Sequence, residues 1–144
     1  MRWVITVGHV APGSGPATER TGEAFVAARE TLAAAKARRD RLVIRTGEPG
    51  ADRLLEGLAP VLGEMLAELT PSQRRIAWLV LVEGLRQAEA AERLDIARAT
   101  VSVAYGRGHV RSIGRLAEAL RALFAASILA LTDEAAQAGA TMPR

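Results

Sequence analysis

The stretch Gln87–Tyr105 (QAEAAERLDIARATVSVAY) constrains the fold more tightly than any other part of the chain. Two helices that cross closely need a small residue in the middle of the first, and Ala91 fills that place. Four residues later the turn needs a backbone that tolerates a left-handed conformation, where glycine is usual and Asp95 stands here. Aspartate accepts that region better than most side chains. Leu94 and Ile96 bracket the turn and Val101 points back from the second helix, so three apolar side chains at fixed offsets are expected to lock the crossing. The pattern predicts a helix-turn-helix, whose second helix enters the major groove of DNA with its first residues at base edges.

That geometry leaves Ala97, Arg98, Ala99, Ser102, Val103 and Gly106 as the outward positions of the recognition helix. Arg98 can donate two parallel hydrogen bonds to guanine, and Ser102 can meet a base or a phosphate. Thr100 suits the backbone or a phosphate. Arg74, Arg75, Arg86, Arg107, His109 and Arg111 surround the motif as candidate phosphate contacts, which makes a salt-dependent affinity the expectation. The net charge of +3 is too mild to name a partner by itself, but its distribution is informative. All of the excess lies in residues 71–115, where eight arginines face Glu83, Glu89, Glu92 and Asp95.

Around the motif the punctuation is clear. Thr70-Pro71-Ser72-Gln73 combines a capping threonine, a proline at the first helical position and a glutamine three residues after the cap, so a helix is expected from Gln73 to Glu83, ended by Gly84. Further helices are expected over Arg86–Leu94 and Arg98–Tyr105, with Gly106 and Gly108 loosening the chain beyond them. From Val110 a long helix carries Ile113, Leu116, Leu120, Leu123, Phe124, Ile128 and Leu131 on one seam. Upstream, Arg2–Val10 and Arg41–Arg45 have the alternation and β-branched content of strands. Each precedes a helical pattern, Thr21–Arg39 after the turn Ala11–Ala17, and Ala51–Leu69, which Pro60 is expected to bend or split. If the strands share a sheet, the crossover rule makes them parallel. Two strands are marginal alone, so a second subunit completes the sheet, or the segment is the back half of a larger α/β domain. Trp3 and Trp78 are expected in cores, and the pair Arg38-Arg39 on solvated surface.

Composition removes other classes of function. Without cysteine there is no disulfide, thiolate nucleophile or Cys-based zinc site, and a reducing cytoplasm is the natural compartment. Two histidines, His9 and His109, give little for a metal centre. The most apolar stretch, Ala122–Leu131, is about half the length a bilayer span needs, so no membrane partner is expected. Aromatics at 3% disfavour a stacking platform for single strands. Gly8, Gly13 and Gly15 precede a helix but match neither a Walker loop nor a dinucleotide fingerprint, so no nucleotide cofactor is expected. No nucleophile-base pair or paired carboxylate stands out, and the chain is read as not being an enzyme.

The residues Leu69-Thr70-Pro71-Ser72-Gln73-Arg74, followed by Glu83-Gly84-Leu85-Arg86-Gln87-Ala88-Glu89-Ala90-Ala91-Glu92-Arg93-Leu94, resemble the carboxyl-terminal helix-turn-helix of SatD-family proteins. They are similar, more loosely, to sigma-factor region-four and LuxR-type domains. Upstream, Ile5-Thr6-Val7-Gly8 and Gly22–Glu30 are similar to the back half of the SatD amino-terminal domain. SatD-like chains begin with a further strand-and-helix portion bearing a Gly-Asp motif that this sequence lacks, so the resemblance implies either a shortened homologue or a piece of a longer protein. The expected protein is α+β and mostly helical, with a strand-helix-strand-helix segment (1–69) that builds a dimer, a helix-turn-helix domain with a long closing helix (70–131) and a flexible tail (132–144). Its expected role is transcriptional regulation as a cytoplasmic homodimer on double-stranded DNA. The alternatives are a dimeric protein-protein module with a degenerate motif, and a remnant cyclase-like nucleotide-binding domain.

Overall fold

A computed structural model describes residues 1–8 and 22–140. The turn at Ala11–Ala17, His9, Gly13 and Gly15 lie outside the described residues. In chain order the elements are β1 (Trp3–Thr6), α1 (Glu23–Arg38), β2 (Leu42–Arg45), α2 (Pro49–Glu68), α3 (Pro71–Leu81), α4 (Gln87–Leu94), α5 (Arg98–Arg107) and α6 (Val110–Ala140). The fold is α+β and mostly helical, as the sequence predicts. It divides into two compact units, Met1–Gly63 with Ala119–Arg144, and Glu64–Glu118.

In the first unit β1 and β2 are adjacent and parallel, with Trp3 opposite Leu42 and Ile5 opposite Ile44. The Trp3 N–H donates to the Arg41 carbonyl at 2.8 Å and the Val7 N–H to that of Arg45 at 3.1 Å. The Thr6 hydroxyl ties the sheet to α1 through the Ala24 carbonyl, 3.3 Å away. At the start of α2, Glu48 accepts from the Gly50 and Ala51 N–H groups, and Asp52 accepts from the Thr46 N–H at 2.7 Å and its hydroxyl at 2.9 Å. Glu48 thus satisfies the first free N–H groups of the helix with a carboxylate, the charge that its dipole favours there, and Asp52 holds the incoming Thr46 turn.

Pro60 does not split α2: the helix is continuous from Pro49 to Glu68. Its inward stripe of Leu55, Ala59 and Leu62 is buried, and Gly63 lets it reach the sheet, since a Cβ there would come within 2.8 Å of the Leu42 nitrogen. Ile44 is 7% exposed, but Trp3 is 59% exposed and Ile5 44% exposed. The expectation of a core Trp3 therefore fails: α1 lies against β1 on the side of Thr6, and the Trp3–Ile5 side of that strand stays open.

The second unit is built on α3, α4 and α5. Ile76, Leu79, Ala90, Ala91 and Val101 form its core, with Leu85, Leu94 and Tyr105 packed against them. The capping box at α3 forms as the sequence predicts: the Gln73 N–H donates to the Thr70 hydroxyl at 3.3 Å, and the Thr70 N–H to the Gln73 side chain at 2.9 Å. Gly84 turns the chain at φ 72°, and the Leu85 N–H returns to the Leu79 carbonyl at 3.0 Å. Helix α6 opens with Val110 and Ile113 buried, and continues past Leu131 to Ala140.

Candidate nucleic-acid interface

The α4–α5 turn is closed by backbone bonds that the left-handed Asp95 makes possible. With φ 53° and ψ 48°, Asp95 aims its own N–H at the Glu92 carbonyl, 3.2 Å away, and the Ile96 N–H at the Ala91 carbonyl, 3.1 Å away. These two bonds satisfy carbonyls that a helix end otherwise leaves orphaned. Ala91 and Val101 are 2% and 0% exposed, which is the close crossing expected of them. Ile96 departs from expectation: its side chain is 37% exposed, so Leu94 and Val101 hold the crossing while Ile96 contributes its backbone.

Helix α5 presents Arg98, Ala99, Thr100, Ser102, Val103, Gly106 and Arg107 to the outside. Its cap residue, Ala97, supplies no side-chain bond, so the first turn is held by the backbone, including the Thr100 N–H to the Ala97 carbonyl at 3.0 Å. The helix runs through Gly106 to Arg107, two residues beyond the expected end at Tyr105. The break comes at His109, which sits at φ 49°. Its N–H donates to the Gly106 carbonyl and its carbonyl accepts from Ile113, each at 3.0 Å. Gly108 matters for space: a Cβ there would come within 3.1 Å of Leu69 and 3.2 Å of Gln73, whereas one on Gly106 would meet nothing within 4 Å.

The candidate contacts do not form one cluster. Thr100, Val103 and Arg107 line a groove with Thr70, Ser72 and Gln73 at the start of α3. Arg74 and Arg75 line a different groove, between α3 and α4, together with Trp78, Arg93 and Leu94. Arg74 also donates to the Leu69 carbonyl at 3.3 Å. Arg86 caps α4, its N–H bonded to the Glu89 carboxylate at 2.6 Å, while His109 and Arg111 are exposed at the α5–α6 junction. Trp78 is 58% exposed, and its indole N–H donates to Glu83 at 3.1 Å, which corrects the expectation that it lies in a core.

Sequence reasoning missed Ser72, Gln73 and Arg93 as groove residues. For Arg93 a signal existed, since it lies two helical turns after Arg86. For Ser72 and Gln73 the capping role masked any other. Among the described residues no group of three His, Cys, Asp or Glu side chains is placed to hold a metal ion, and no helix is long and apolar enough to cross a membrane.

Comparison with curated proteins and with solved structures gives no match. Residues 61–109 match a family model described as Sigma-70, region 4. The matched stretch contains α3, α4 and α5, and the similarity to sigma-factor region four expected from the sequence is thereby supported. Over this part the chain is similar to a helix-turn-helix DNA-binding domain of the transcription machinery, a family defined by binding and not by catalysis.

Proposed function

We propose that the protein is a transcriptional regulator that reads double-stranded DNA with α5, acts as a homodimer and works in the cytoplasm. The observation that carries this reading is the outward face of α5, where Arg98, Thr100 and Ser102 are exposed next to a turn fixed by Asp95. In this reading Arg98 recognises a base, Thr100 and Ser102 touch base or phosphate, and Arg86, Arg107, His109 and Arg111 meet the phosphates. Arg74 and Arg75 contribute from the α3–α4 side. Residues 70–131 are the DNA-binding domain and residues 1–69 the dimer-building part. The motif order that resembles SatD-family proteins supports this assignment, as does the excess of arginine over acid within 71–115.

Titration against duplex DNA at two salt concentrations tests the proposal, with binding expected at low salt and a steep fall as salt rises. Arg98→Ala should cost about 1–3 kcal/mol on a preferred site and relax its specificity, whereas Arg107→Ala should weaken all duplexes alike and flatten the salt slope. Val103 is 52% exposed on the same face as Ala99, and this apolar character favours a second reading, a protein-protein module on the same scaffold. No duplex binding at low salt would leave that second reading in place of the first.

A further inference from the structure

Register and burial together place an uncovered apolar surface beside β1. In a parallel pair, residues in register share a face, so Trp3 and Ile5 lie on the same side of the sheet as Leu42 and Ile44. Helix α2 approaches that side at β2, where its Gly63 lies against Leu42 and Ile44 is buried, while Trp3 and Ile5 stay open. One flank of α2, with Glu56 and Pro60, lines a cavity with Val43 and Ile44 of β2 and with Thr31 and Ala35 of α1. Adjacent strand residues point to opposite faces, so a cavity touching both Val43 and Ile44 follows the outer edge of β2. The opposite flank of α2 exposes Leu54, Leu58 and Val61 at 55%, 39% and 50%, one stripe of a helix face.

The two edges of the sheet also differ in chemistry. An arginine precedes each strand, Arg2 and Arg41, but β2 also ends in Arg45, whereas Trp3–Gly8 contains no charge and no proline, the usual protections of an exposed edge. Trp3 and Val7 direct their N–H groups to β2, so by alternation Val4 and Thr6 direct theirs away from it.

We propose that a second copy of this chain completes the sheet, with β1 pairing antiparallel to its counterpart about a two-fold axis at Ile5. Val4 then exchanges both backbone hydrogen bonds with Thr6 of the other copy, and Thr6 with its Val4, so one strand satisfies the other without a change of sequence. Ile5 faces its own counterpart on the side that carries Trp3, and the Leu54–Leu58–Val61 stripe flanks this new apolar surface. The proposal rests on reading the chain as a homodimer and names the surface that makes it one.

Light scattering on the full chain, with three variants, tests it. The parent should have the mass of a dimer. Val4→Pro removes an N–H that points away from β2, together with a half-buried side chain, and Ile5→Lys places a charge on the axis; both should halve the mass while the far-ultraviolet circular dichroism is retained. Directly opposed residues in a non-hydrogen-bonded pair are about 4.5 Å apart at Cα, within disulfide reach. Because the chain has no cysteine, Ile5→Cys should therefore cross-link under mild oxidation, while Val26→Cys, exposed on α1, should not. A parent that stays dimeric in both strand variants, with no cross-link through Ile5→Cys, overturns the interface and leaves the homodimer standing. A monomeric parent overturns both. Should Val4→Pro fail to fold, the cross-link decides.

Discussion

In the unit Glu64–Glu118, Ile76, Ala90 and Val101 are fully buried, and the exposed surface mixes arginines with apolar side chains such as Trp78, Val82 and Val103. In the other unit Leu55 and Ala59 are equally buried, yet Trp3, Ile5, Leu54 and Val61 remain at 44% exposure or more. Three short helices around small residues close a core, whereas two strands and the helices beside them leave one face of β1 open. The difference lies in where the exposed apolar side chains sit. In the helix-turn-helix unit they are on separate elements, Trp78 on α3 and Val103 on α5, whereas the sheet unit carries Trp3 and Ile5 on one face of one strand and Leu54, Leu58 and Val61 on one flank of α2.

The largest test of this contrast is truncation in the two places. Ile76→Ala should cost about 2–5 kcal/mol, the range for emptying a closed core. Ile5→Ala, at a half-exposed site, should cost under about 1 kcal/mol within a single subunit, because it gives up only part of the transfer term. Denaturant titration of both variants at protein concentrations low enough to keep the chain monomeric checks the ordering, and equal losses would mean that Ile5 is covered within its own subunit. A second contrast lies inside the closed unit. Gly108→Ala should destabilise by about 1–3 kcal/mol by pushing on Leu69 and Gln73. Gly106→Ala, with open space around it, should stabilise α5 by about 0.5–1 kcal/mol. Thr70→Ala should remove about 1 kcal/mol by opening the capping box, a loss visible as a lower denaturation midpoint.

The smallest effect belongs to the sheet unit. Arg38 bonds and attracts the Glu56 carboxylate, which holds that group below its ordinary value. A folded value below the unfolded one means that the pair stabilises above the ordinary carboxylate range, and that this support is lost as pH falls through the lowered value. Both groups are largely exposed, so the effect is slight and shrinks in salt. The melting midpoint of the parent minus that of Glu56→Gln should be positive at neutral pH and vanish in acid.

What the sequence disclosed were features set by neighbours a few residues apart. The Thr70–Gln73 box, the left-handed Asp95 and the small Ala91 are local requirements, and each was readable from spacing. Features set by what arrives from elsewhere were not. Trp3 looks like a core residue until the reach of α2 is known, and Trp78 until its groove is. Arg74 and Arg75 read as companions of Arg107, but both line the groove beside Trp78 and Arg93 while Ser72 and Gln73 line the one with Arg107, and periodicity alone does not say which neighbour sits over which face. Gly106 misled for a similar reason: the Ala91–Val101 packing carries α5 through a residue that intrinsic preference would place at its end. Pro60 likewise sits inside a helix whose buried stripe continues past it.

The two exposed indoles give the molecule a built-in optical readout. Trp3 belongs to the sheet unit and Trp78 to the helix-turn-helix unit, and the chain has no third tryptophan. Replacing either by phenylalanine leaves a fluorophore that reports on one unit alone. Emission from Trp3 should move to shorter wavelength when the sheet is extended, while that from Trp78 should hold its wavelength through the same event. Titrating the two variants side by side thereby distinguishes assembly from changes at the surface of the helix-turn-helix unit.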